Sequence, residues 1–89
     1  MNIVKLSDTA KSVLNDSDYN KLMGHVNNRD LNSARIFIED KIDQNIFSTK
    51  VDSSLMRYEK AKRLQTIDSI ITEELIKTID VNGARTISN

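Results

Sequence analysis

The sequence predicts an all-α fold on three observations. Its 89 residues hold no proline and only two glycines, Gly24 and Gly83, so residues 25 to 82 lack a strong backbone punctuator and a turn-rich β architecture is disfavoured. Apolar side chains recur at intervals of three and four along most of the chain, the period of one helical face. Ser, Asp and Asn precede several of these runs, where their side chains can cap helix N-termini. Eleven isoleucines and five valines favour strands by propensity, but the periodicity outweighs them. The expected architecture is two short N-terminal helices followed by a long helix or a helical hairpin, over about residues 31–50 and 53–81.

Ser7 or Asp8 can cap a first helix containing Ala10, Val13 and Leu14. Asn15, Asp16, Ser17 and Asp18 then form a break, with Ser17 and Asp18 as fresh N-cap candidates. In the second helix Tyr19, Leu22, Met23 and Val26 fall at i, i+3, i+4 and i+7, and Asn27, Asn28 and Arg29 close it. Gly24 inside this helix weakens it by about 1 kcal/mol relative to Ala.

Asp30 is the N-cap of the third helix. Leu31, Ala34, Ile38, Ile42 and Ile46 follow and stay within a band of roughly 120° at about 100° per residue. Phe37 widens the stripe on one shoulder, while Asp40, Asp43 and Gln44 occupy the opposite face. Arg35 stands four residues before Glu39, within reach of its carboxylate.

From Ser48 to Ser54 the pattern weakens, and Asp52 and Ser53 are suited to cap a new helix. A second stripe then runs through Ala61, Leu64, Ile67, Ile71, Leu75 and Ile79. Asn82-Gly83 reads as its C-cap, which gives one domain over residues 1–83 and a polar tail over 84–89. A continuous helix from Leu31 to Asp80 would be about 75 Å long and would need a partner helix to bury its stripe. A break near residues 48–53 instead permits an antiparallel hairpin with the N-terminal helices packed across it. Both arrangements stand, and the break is preferred.

Composition narrows the function classes. Thirteen basic and thirteen acidic side chains give zero net charge, which argues against a dedicated nucleic-acid wrapper. The absence of cysteine removes disulfides, thiolate zinc sites and cysteine nucleophiles, and the lone His25 argues against a histidine-rich metal site. Met1 to Leu6 is too short an apolar stretch for a signal peptide or a membrane span, so a soluble protein is expected. Leu, Ile, Val and Phe total 25 residues, above the level of a disordered chain. The overall apolar fraction of 38% is nevertheless low for a self-sufficient core.

Arg57, Lys60, Lys62 and Arg63, with Tyr58 beside them, form the one basic cluster and a candidate phosphate-contacting surface. The competing reading is a solvated helix face that pairs with Glu59 and neighbouring acids. Asp68 and Glu73-Glu74 read as a solvated acidic face, since consecutive helical residues point about 100° apart. Asp16, Asp18 and Asn20 resemble the opening of a calcium loop, but Lys21 stands where its glycine belongs and Asn27 where its closing glutamate belongs. His25 has no nucleophile or acid that sequence can connect to it. No enzyme activity, catalytic residue, cofactor or metal is expected.

The stretch Asn27 to Ile42 resembles a segment of the small prohead core proteins of tailed bacteriophages. In those chains a short helix leads into Asp-Leu, then Ala-Arg or Ala-Lys, then an aromatic or aliphatic residue and an amphipathic helix. Asp30-Leu31, Ala34-Arg35, Phe37 and Ile42 match that pattern, and Glu39 fits loosely. This chain lacks the long acidic tail that some of those proteins carry. The resemblance therefore implies a broader role, a small virion or capsid-assembly component located in the particle or the host cytoplasm and acting by packing against other subunits.

On this reading Leu31, Ala34, Ile38, Ile42, Leu64, Ile67, Ile71 and Leu75 are the expected protein-interaction residues. The partners are further copies of the chain or other virion proteins. The alternatives are a small nucleic-acid-associated regulator using Arg57, Lys60, Lys62 and Arg63, or a phage-encoded inhibitor of a host protein.

Overall fold

The structure is a computed structural model that describes residues 1–46 and 54–87, with side chains described over residues 1–45 and 56–78. The expected caps Asp52 and Ser53 lie outside the described residues, and Ile46 and Ile79 outside the described side chains. The fold is all-helical, with no strand among the described residues. Its elements are α1 (Ile3–Val13), α2 (Asp16–Asn27), α3 (Leu31–Ile46) and α4 (Ser54–Ile87).

Helix α1 begins earlier than Ser7 or Asp8. Its cap is Asn2, whose side chain accepts a hydrogen bond from the Lys5 amide at 3.0 Å. Leu14, expected inside the helix, is instead the C-cap in extended conformation. Helix α2 also starts early: Asn15 caps it by accepting from the Asp18 amide at 2.8 Å. Asp16 and Asp18 then lie in its first turn, where negative charge meets the positive end of the helix dipole.

The α2–α3 junction is one hydrogen-bonded unit. Arg29 takes the left-handed conformation, φ 58°. Its amide donates to the Val26 carbonyl at 3.0 Å, and the Asp30 amide donates to the His25 carbonyl at 2.9 Å. These two bonds satisfy the last turn of α2 in the Schellman pattern. Asp30 simultaneously opens α3, as its sequence position predicts, its carboxylate accepting from the Ser33 amide at 3.2 Å. Those Ser33 hydrogen bonds, from side chain and backbone, hold the Asp30 carboxyl below its ordinary value.

Helices α3 and α4 reverse on one another, so the continuous-rod arrangement is excluded. Near one end the Asn45 side-chain amide donates to the Arg57 carbonyl at 3.3 Å. Near the other, Leu31 and Asn32 share a cleft with Leu75 and Thr78. The helix bounds differ from the expected 31–50 and 53–81. Asn82-Gly83 does not end α4, which continues to Ile87. The reason is conformational: no described glycine has the positive φ that a glycine C-cap uses.

Helix α1 also runs antiparallel to α4. The Met1 amino group lies 3.0 Å from Glu74, and Ser12 and Val13 lie beside Arg57 and Lys60. Helix α2 crosses α3 with Lys41 bonded to Asp18 at 3.0 Å. The Ser7 and Tyr19 hydroxyls, 2.7 Å apart, join α1 to α2. Each helix thus packs on its sequence neighbours, and α4 closes back on α1.

Leu6, Ala10, Leu22, Val26, Ala34, Ile38, Leu64, Ile67 and Ile71 are buried in the interior. Burial of each large aliphatic side chain among them contributes roughly 1.5–3 kcal/mol.

Candidate interaction surface

The two apolar stripes meet inside the chain. Ala34, Ile38, Leu64, Ile67 and Ile71 are fully buried, and Leu31, Ile42 and Leu75 pack partly buried against the same core. The reversal between α3 and α4 brings one stripe onto the other, and α1 and α2 cover the rest. Of these eight residues, expected to face partners, five are covered by their own chain, while Leu31, Ile42 and Leu75 remain partly exposed.

The basic cluster is divided. Arg57, Lys60 and Arg63 line one cleft of about 340 Å³ with Ser12, Val13, Met56 and the acidic Glu59. Positive charge there complements the carbonyl end of α1. Lys62 lies elsewhere, its ammonium 5.4 Å from the Tyr58 ring centroid. At 100° per residue, positions 57, 60, 62 and 63 spread over more than half the circumference of α4. The expected single phosphate-contacting face is therefore not formed by all four.

Asp68 departs from the solvated acidic face on which the sequence places it. Its Oδ1 and the Oγ1 of Thr72, one turn on, are enclosed atoms with no hydrogen-bond partner. Burial pushes the Asp68 carboxyl above its ordinary value, Glu39 adds to the push, and Arg35 opposes it. Arg35 and Glu39 are themselves joined at 3.0 Å, as their i, i+4 spacing predicts. Asn45 is a buried polar residue that sequence reasoning missed; its bond to Arg57 is made only once the hairpin closes.

Asp40, Asp43 and Gln44 are exposed, as expected, and Gln44 donates to Asp40 at 2.8 Å. His25 is half-buried in the last turn of α2, with its ring centroid 6.3 Å from that of Phe37.

What remains outside is a set of large apolar side chains. Val4 is 71% exposed, Ile36 66%, Met56 65% and Tyr58 60%, with Ile3 and Ile76 also exposed. Ile3 borders a cleft of about 680 Å³ lined by Val26, Leu31 and Leu75, at the end where α2 turns into α3. Among the described residues no group of three or more His, Cys, Asp or Glu side chains could hold a metal ion. No described helix is long and apolar enough to cross a membrane. No protein-family model, curated relative or solved structure matches the chain.

Proposed function

We propose that this chain is a non-enzymatic structural or assembly protein that acts by packing its helices against other subunits. The supporting observation is its surface. Val4 is 71% exposed, Ile36 66% and Ile76 50%, large apolar side chains that the chain's own helices leave uncovered.

Helix α4, with 34 residues against 16 in α3, also outruns its hairpin partner. The docking residues are now the outer apolar side chains, Val4, Ile36 and Ile76 among them, rather than the buried stripes. The resemblance of Asn27 to Ile42 to prohead core proteins supplies the setting, a bacteriophage particle.

Sedimentation tests this reading. The protein is expected to self-associate or to co-sediment with particle proteins, and replacement of Val4, Ile36 and Ile76 by serine is expected to abolish that association while leaving helicity unchanged. A wild-type chain that sediments as a monomer at every concentration and with no particle protein overturns it.

The grouping of Arg57, Lys60 and Arg63 around one cleft favours nucleic-acid contact as a second reading. Binding to DNA or RNA should then weaken steeply with salt and be lost when these three become alanine. Salt-insensitive binding, or none, rejects it.

A further inference from the structure

The outward face of α3 is its own complement in charge. Asn32, Ile36, Asp40 and Asp43 are all exposed. At about 100° per residue they share a band of roughly 80°, on the side of the helix turned away from the buried Ala34 and Ile38. Arg29, also exposed, stands at the N-terminal end of this face, in the cleft that Leu31 and Asn32 help to line. Ile36 is the apolar centre of the band, 66% exposed.

The polar groups are spaced evenly about that centre. Arg29 lies seven residues before Ile36 and Asp43 seven after it, while Asn32 lies four before and Asp40 four after. Neither Arg29 nor Asp43 takes part in an ion pair among the described residues, where the pairs join Met1 to Glu74, Arg35 to Glu39 and Lys41 to Asp18. Asp43 sits in the last turn of α3, which carries no basic side chain, so nothing within that turn offsets its carboxylate against the negative end of the helix dipole. Asp40 accepts from Gln44 and has acceptor capacity to spare.

We propose that a second copy of this chain docks on this face in an antiparallel α3–α3 contact, on a two-fold axis through Ile36. Ile36 then packs on its own counterpart, Arg29 of each copy meets Asp43 of the other, and Asn32 of each donates to Asp40 of the other. Every polar contact is made twice, as an isologous interface requires. Asp43 lies roughly 10 Å along the axis from Ile36, and the long Arg29 side chain spans a comparable distance on the other side. The contact rests on the reading that the chain acts by packing against other subunits, and it gives that reading a partner and a surface. One apolar pair flanked by exposed ion pairs makes a small contact, so the dimer is weak, concentration-dependent and loosened by salt.

Sedimentation equilibrium over a range of concentrations tests the contact in the wild type, in R29D, in D43R and in an equimolar mixture of the two variants. Each variant alone sets like charges against each other at both ends of the contact and should self-associate about tenfold more weakly than the wild type. In the mixture both ends again join opposite charges, and the mixed dimer should recover the wild-type affinity, an outcome that a folding defect in either variant cannot produce. Circular dichroism is expected to report unchanged helicity. Association that is unaltered in both variants, or a mixture no tighter than its components, overturns the contact; if that association is lost when Val4 and Ile76 become serine, the packing role stands on another surface. A wild-type chain that is monomeric at every concentration also overturns the contact, and the packing role then stands or falls on co-sedimentation with particle proteins.

Discussion

Replacing Ile71 by alanine should remove a large part of the stability of this protein, and replacing Ile76, five residues further along the same helix, should not. Ile71 is fully buried in the interior cluster, whereas Ile76 is 50% exposed. Ile→Ala deletes three carbon groups, a transfer loss of about 2.4 kcal/mol at 0.8 kcal/mol per group. At Ile71 a cavity term adds to this, for a total of about 3–4 kcal/mol. At Ile76 half of the side chain is already in water and no closed cavity forms, so about 1 kcal/mol or less is lost.

Against a total stability of about 4–13 kcal/mol for a domain of this size, the first change is severe and the second mild. Urea denaturation followed by circular dichroism reads the difference. With a denaturant slope near 1 kcal/mol/M, the midpoint should fall by about 3 M for Ile71→Ala and by less than about 1 M for Ile76→Ala. Equal shifts would refute the assignment of the second stripe to the interior of the chain.

Other consequences follow from individual backbone and charge positions. Gly24 lies in a helix with open space where a Cβ would stand, so Gly24→Ala should stabilise by about 0.5–1 kcal/mol, raising the melting temperature by several degrees. Arg29 holds a left-handed φ of 58°, so Arg29→Gly should relieve strain and stabilise by about 0.5 kcal/mol after the added unfolded-state entropy is deducted; a loss of stability would show that the Arg29 side chain matters more than its backbone.

Asp30 has a lowered folded-state pKa. It therefore stabilises fully above its unfolded value of 3.8 and loses that contribution as pH falls through the depressed value. Asp30→Ala should lower the urea midpoint at pH 7 and flatten its fall in acid. Asp68 has a raised folded-state pKa and the opposite sign: its burden is absent below pH 3.8, sets in as pH rises through the raised value and is complete at neutrality. Asp68→Asn should therefore raise the midpoint at pH 7 and leave it unchanged near pH 3.

The helical character and the α3 start at Asp30 were legible in sequence because they depend on local chemistry: periodicity, a capping carboxylate and the lack of proline. Errors at Asn2 and Asn15 have a common cause. More than one capping residue precedes each helix, Asn2 and Ser7-Asp8 for α1 and Asn15 to Asp18 for α2, and which one caps depends on where the helix axis must point to bury Leu6 and Leu22. Gly83 misled because glycine signals a helix end only when its φ is positive, a property the residue name does not carry.

The stripes could be seen, but their covering could not. Periodicity shows that a face is apolar, while the choice between another subunit and the chain's own helix depends on whether residues 31–46 and 54–87 reverse. Asp68 and Asn45 were missed for the same reason, since their environments exist only after the hairpin closes.

That reversal is also the most direct object of test. The chain has no cysteine, so Asn32→Cys and Thr78→Cys place two spin labels without background. Both residues line one cleft in the closed hairpin, whereas a continuous helix would separate them by about 69 Å at 1.5 Å per residue. Pulsed dipolar spectroscopy, with the labelled protein diluted in unlabelled chain, should give a single short distance below about 25 Å, the span of two helix diameters. A distance near 70 Å, or a short one that vanishes on dilution because it joins two copies, would contradict the account.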